Sequence, residues 1–243
     1  MFIVNGGIPR SGTVLVGEII RALLHRRGLE VLRYNPQERR HLPEFANKIS
    51  EAPVNATTLV HTHLIDQTCL DALTARDDAV VFWNHRDPRD ALVSLIRLHD
   101  MPLEQALLSM EVYLTAADLP KRWGKALGIR YERLVANVDQ HVLGIANTLG
   151  YEAQPSEIAS IREATTPDAH AKIMRKLQKG TVDETRHIRT LYRDMREDKE
   201  TLINDRHLQS GQHGRWKTEL SPEDAQIVNE RLGRWIEGYG YDL

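Results

Sequence analysis

The chain has a single cysteine, Cys69, in 243 residues, which excludes an internal disulfide and a zinc site built from several cysteines. Aromatic residues are scarce at 6%, so a flat phenolic slot is not expected. Neither sign of charge dominates: 32 Lys and Arg face 34 Asp and Glu, for a net charge of −2. No global field therefore recruits nucleic acid or an anionic membrane, and any anion site must be a local cluster. Long apolar runs are missing too. Met1 to Val4 is too short for a signal peptide, and no later run approaches the ~18 residues of a membrane helix. Internal repeats, linkers and low-complexity tracts are also absent. The expectation is a soluble cytoplasmic protein with no nucleic-acid or membrane partner; the oligomeric state is left unassigned.

What is present is enough apolar residue, 41% of the chain, for one sizeable core. Phe2 to Val4 reads as a short buried strand. Leu15, Val16, Ile19, Ile20, Leu23 and Leu24 then recur at helical spacing, with Gly28 as a stop. A strand over 29–34 completes a βαβ unit. Beyond it lie a loop with a short helix near 44–49, a strand entering at 57, a helix over 66–75 and the apolar strand 79–83. Asp87, Pro88 and Asp90 mark a helix start. A helix over 103–126, a strand over 127–131 and helices over 138–149 and 155–179 follow. The charged stretch 180–217 has no clear period and reads as loop or lid, and Ser221-Pro222 opens a final helix. The pattern predicts an α/β fold: a single domain over residues 1–243 with a P-loop-like central parallel β-sheet flanked by helices.

The sequence "NGGIPRSGT" (5–13) sets a glycine-bounded, basic loop between the first strand and the first helix. That geometry cradles phosphate, because backbone N–H groups point inward and the helix N-terminus carries partial positive charge. Gly7 to Gly12 has the spacing of a nucleotide triphosphatase loop, but Thr13 stands where that motif requires lysine. The charge has moved inside the loop to Arg10. The ligand implied is a phosphate compound other than an ordinary triphosphate, against the plainer reading of a tight turn with a surface arginine.

These residues resemble the phosphosulfate-binding loop of sulfotransferases that use 3′-phosphoadenosine 5′-phosphosulfate (PAPS), and "GGIPRSGT" is similar to the tyrosylprotein branch. Further matches follow in family order, up to residue 217. "THL" (62–64) resembles the segment whose histidine is the catalytic base, which implies that role for His63. "HRDPRDALVS" (85–94) resembles the 3′-phosphate-binding segment and implies Arg86 and Ser94 as its donors. "IRYERL" (129–134) implies Tyr131 as an adenine contact. "GQHGRWK" (211–217) resembles the stretch that closes over the nucleotide, with Gln209, Ser210 and Gly211 at its start. The resemblance thus implies a PAPS-binding set of Arg10, Ser11, Gly12, Thr13, Val14, Arg86, Ser94, Tyr131, Gln209, Ser210 and Gly211. The product would be 3′-phosphoadenosine 5′-phosphate (PAP), and the acceptor a small molecule.

The sequence also departs from the family. Leu15 replaces a tryptophan stacked on adenine, His61 replaces a lysine, and Gln209-Ser210 replace Arg-Lys. Ser221, Pro222 and Gln226 break the dimer motif of the cytosolic branch.

Sulfuryl transfer, like phosphoryl transfer, proceeds in line through a loose transition state, so positioning and electrostatics carry it. His63 can take a hydroxyl proton, Arg10 and the N–H groups of residues 11–14 can offset charge on the leaving phosphate, and no metal is required. Each residue also has a plainer reading. His63 can be an idle loop histidine, or bind zinc with His61. Arg86 can pair with Asp87 or Asp90, and Ser94 can be solvated in mid-helix. Tyr131 can be a core aromatic and Trp216 a packing anchor. Competing functions are a P-loop small-molecule or nucleotide kinase and a non-catalytic nucleotide-binding module.

Overall fold

The computed structural model describes residues 1–36, 38–182, 185–189, 194–206 and 212–243. Strand β1 (Phe2–Gly7) is buried along its whole length and is the centre of the sheet. Helix α1 (Thr13–Arg26), β2 (Val31–Tyr34), α2 (Leu42–Glu51), β3 (Thr57–Thr62), α3 (Gln67–Thr74) and β4 (Ala79–His85) follow. Next come α4 (Pro88–His99), α5 (Leu103–Trp123), β5 (Leu127–Arg130), α6 (Tyr131–Ala136), α7 (Val138–Thr148), α8 (Pro155–Ala164) and α9 (Pro167–Lys179). A hairpin of β6 (Thr185–Arg189) and β7 (Asp194–Asp198) precedes α10 (Trp216–Glu219) and α11 (Pro222–Gly238). Among the described residues, β2-β3-β1-β4-β5 form one sheet, and every neighbouring pair is parallel.

Alternating side chains of β1 and β4 face two cores, as the period of a strand requires. Phe2, Val4, Val81 and Trp83 pack with α2, α3, α4, α5 and α11. Ile3, Leu59, Phe82 and Ile129 pack with α1, α7 and α8. A parallel sheet covered on both faces explains why these strands read as near-continuous apolar runs. The strand order places the C-terminal ends of β1, β3 and β4 side by side, and these ends carry the loops with the unusual chemistry. Asp87 accepts from the N–H of Arg89 at 3.0 Å and Ser221 from that of Asp224 at 3.0 Å. These are the caps that start α4 and α11, each worth about 1 kcal/mol. Among the described residues, no helix is long and apolar enough to cross a membrane.

Two elements differ from the sequence reading. The stretch expected as loop or lid contains the β6–β7 hairpin. Its alternation is present, with Met195 and Glu197 buried between exposed Asp194 and Arg196, but a charged inward position hid it. Glu197 is tolerated there because Arg186 stands directly across the hairpin and pairs with it. The strand expected over 127–131 ends at Arg130, and Tyr131 instead opens α6. The helices expected over 155–179 are α8 and α9, divided where Thr166 caps a new helix that starts at Pro167.

Candidate active site

The loop after β1 is forced into shape by its neighbours. Gly7 has φ +152°, and a Cβ there would lie 2.3 Å from the backbone oxygen of Asn84. Gly12 has φ +89°, and its Cβ would lie 2.8 Å from the Tyr131 ring. Between them Arg10 itself adopts a left-handed conformation, φ +67°, which costs a non-glycine residue about 1–2 kcal/mol. Buried Asn5 ties the loop down. Its Nδ2 donates to the Thr13 carbonyl at 2.7 Å, and its Oδ1 accepts from Asn84 Nδ2 at 2.9 Å. The Ser11 hydroxyl turns back onto the carbonyls of Ile8 (2.6 Å) and Asn84 (3.1 Å). Any part Ser11 plays in holding a ligand therefore falls to its backbone N–H.

Arg10 reaches across to α4, where its Nε donates to the Ser94 hydroxyl at 2.9 Å. Arg86, at the end of β4, joins the same cluster. Its guanidinium lies 4.5 Å from the Tyr131 ring centroid, donates to the carbonyl of Gln212 at 2.7 Å and stands 3.7 Å from Asp90. The pairing with Asp90 read as an alternative is thus present, but it is long. Burial first, and then the neighbouring Arg86 cation, lower the Arg10 pKa to about 10, so Arg10 stays charged at neutral pH. Arg86 Nε is buried with no hydrogen-bond partner among the described residues. Two like charges gathered at a half-buried cavity suit a doubly charged anion. The residues fit a phosphate.

His63 stands on the other side of the loop. Its Nδ1 lies 2.8 Å from the Gly7 carbonyl. A carbonyl only accepts, so Nδ1 carries the hydrogen and Nε2 keeps its lone pair. Burial lowers the His63 pKa; the Gly7 bond raises it in part and the Arg10 cation lowers it again. The ring is thereby held as a neutral base. His61 packs edge-on against it with ring centroids 5.3 Å apart, and its own pKa falls to about 3, from burial first and then from His63, Arg186 and Arg33. His61 therefore supplies no cation where the family has lysine. Among the described residues, no three His, Cys, Asp or Glu side chains are placed to hold a metal ion.

The closing segment is docked rather than loose. Asp90 accepts from the backbone N–H of Gly214 at 2.6 Å and of Trp216 at 3.1 Å, and the Trp216 ring stacks 4.0 Å from the Arg89 guanidinium. Trp216 is a packing anchor in this arrangement. Asp90 was legible as a helix-start residue and as a partner of Arg86, and nothing in its spacing signals this further role. Gln209, Ser210 and Gly211 lie outside the described residues. A cavity of about 550 Å³ joins these parts. Arg10, Gly12, Thr13, Val14, Arg86, Ser94 and Tyr131 line it together with His63, so residues scattered over the first 131 positions meet in one place. Sequence reasoning missed Tyr113, whose ring centroid is 6.1 Å from that of His63, and His170, whose Nε2 lies 2.6 Å from Glu18 Oε2.

A parallel α/β sheet with a glycine-bounded loop before a helix N-terminus at its centre is the setting of a phosphate-binding class of proteins. The chain belongs to the sulfotransferase domain family, whose model matches residues 2–240. A comparison with curated proteins finds no match in sequence. Among solved structures, the chain is similar to the mouse sulfotransferase SULT7A1 complexed with PAP, with 17% identity and a TM-score of 0.65. That match covers 98% of this chain and 87% of the other. It is also similar to a retinol dehydratase in complex with androsterone and the inactive cofactor PAP, with 15% identity and a TM-score of 0.64. There the match covers 100% of this chain and 82% of the other.

Proposed function

We propose that the protein transfers a sulfuryl group from PAPS to a hydroxyl, or an amine, of a small-molecule acceptor, with His63 as general base. The observation that carries this reading is the His63–Gly7 bond, which leaves Nε2 as the proton acceptor next to the anion cradle. Bound PAPS would supply an activated sulfuryl group, whose bond to the 5′-phosphate oxygen breaks as the acceptor oxygen joins sulfur. His63 Nε2 takes the acceptor proton during that displacement. The N–H groups at the start of α1, with Arg10 above them, offset the charge left on the 5′-phosphate. Arg86 and Ser94 hold the 3′-phosphate, and the Arg10–Ser94 bond makes the two phosphate sites one connected unit. The neighbours' complexes with PAP, and with androsterone in one case and retinol in another, support a nucleotide donor and a small acceptor.

Transfer of radiolabelled sulfur from PAPS to a panel of hydroxyl and amine compounds tests the reading. Product formation that is unchanged by EDTA is the expected result, because none of the assigned roles needs a metal. Collapse of transfer in EDTA, or phosphoryl transfer from Mg-ATP in its place, would return the site to the kinase reading.

A further inference from the structure

A second cavity of about 290 Å³ adjoins the first and shares His61, Val14, Asn35 and Leu202 with it. Helix α1 presents Val14, Gly17, Glu18 and Arg21 to this space, positions three, four and seven apart that fall on one helical face. On the sheet side Arg33 pairs in register with Leu59, two residues before His61, so both project on the face that α1 covers. Arg186 and the turn 199–202 after β7 close the far wall.

The charges lining this space are unbalanced. Arg21, Arg33, Arg186 and Lys199 outnumber Glu18 and Glu200 among the described lining residues, and Glu197 and Asp198 act on Arg33 from outside the lining. Glu18 Oε2 lies 2.6 Å from His170 Nε2 but is not hydrogen-bonded to it, and the Glu200 side chain, 77% exposed, lies 3.4 Å from Arg21. Arg186 is offset by Glu197. Arg21 and Arg33 also converge on a neutral atom, the Glu200 carbonyl, which Arg33 meets at 2.6 Å. Two guanidiniums on one uncharged oxygen repel each other, and an anion beside them relieves that repulsion. A second, independent sign comes from His61. Its side chain is only 8% exposed, and its Nδ1 has no hydrogen-bond partner among the described residues. That atom lies 4.0 Å from where a Cβ of Gly17 would be, so it faces this cavity across a position with no side chain.

We infer that the second cavity is the far end of the acceptor site and takes an oxyanion, so that the acceptor carries a carboxylate or phosphate besides the group that is sulfated. The inference rests on the reading of His63 as the place of the acceptor hydroxyl. Arg33 and Arg186 supply the charge-assisted bonds, His61 Nδ1–H adds a neutral donor, and the edge of the His61 ring marks the passage between the two ends. Neutral hydroxyl compounds of the same length leave the arginines facing one another and bind more weakly.

The test uses the full chain saturated with PAP at fixed ionic strength. Calorimetry is run with ω-hydroxyalkanoic acids of graded chain length, the matching ω-hydroxyalkyl phosphates and the methyl esters of the acids. At the length that spans the two cavities, an acid or a phosphate should bind about 10- to 100-fold tighter than its ester, the range expected for hydrogen bonds to charged groups. Which of the two wins identifies the anion. Arg33→Gln with Arg186→Gln should reduce that ratio to near one while PAP affinity stays the same, and PAP affinity also reports that the variant is folded. Single Arg33→Gln should give a partial loss if the double variant does not fold. Equal binding of acid, phosphate and ester at every length would overturn the inference, as would a preference that survives both substitutions. Absence of PAP binding in the wild type would instead overturn the donor reading, and the acid-to-ester ratio of the free protein would still decide the anion site.

Discussion

His63→Ala should lower kcat by about 10²-fold or more while PAP affinity hardly changes, the range that loss of a general base usually costs. The side chain is hydrogen-bonded to the loop at the Gly7 carbonyl, while the Arg10–Ser94 bond does not involve it. The pH dependence gives a second readout. Burial lowers the His63 pKa from the ordinary value of 6.5, and only the neutral ring can accept a proton. The acid limb of kcat/KM should therefore have its midpoint below 6.5, with activity lost as pH falls through it. That limb should vanish in the residual activity of His63→Ala. Near-normal turnover of the variant, or a wild-type midpoint above 6.5, would remove His63 from the proton transfer.

Arg86→Ala should weaken the full donor by about 2–4 kcal/mol and have little effect on adenosine 5′-phosphosulfate, which lacks the 3′-phosphate. The physical reason is selectivity by charge. A 3′-phosphate carries close to two negative charges, and Arg86 offers a planar, permanently charged fork. Arg86 also donates to the Gln212 carbonyl, so part of any loss can come from releasing the closing segment. Affinity for both donors separates the two roles, since release of that segment weakens both alike. Equal losses would make Arg86 a structural residue and withdraw the 3′-phosphate assignment.

The fold was legible where burial and period agreed. The fully buried β1, the amphipathic α1 and the capped α4 and α11 all announce themselves in the chain, because the same residues that satisfy local geometry also fill the two cores. The hairpin escaped notice because Glu197 occupies an inward position, and only its cross-strand partner Arg186 makes that acceptable. Tyr131 was placed on the strand over 127–131, yet it opens α6 and its ring packs over Gly12 and under Arg86. At the site, the loop and His63 were visible as motifs. The contacts that set their chemistry were not, since the Gly7 carbonyl, Ser94 and Asp90 act from 56, 84 and over 120 residues away along the chain. Sequence order carries no record of such pairings. The second, cationic cavity is of the same kind, for Arg21, Arg33 and Arg186 meet only when the hairpin folds over α1.

Thermal unfolding in the presence of PAP, AMP and Mg-ATP tests the central claim, a site built for a 3′-phosphorylated adenosine donor, most directly. A ligand held only by the native state at about 100 times its Kd stabilises by about 2.7 kcal/mol, which for a chain of this size raises Tm by roughly 5–11 °C. With each nucleotide at the same concentration, PAP should give a shift of that order, and AMP and Mg-ATP a much smaller one. A larger shift with Mg-ATP than with PAP, or equal shifts with PAP and AMP, would contradict the account.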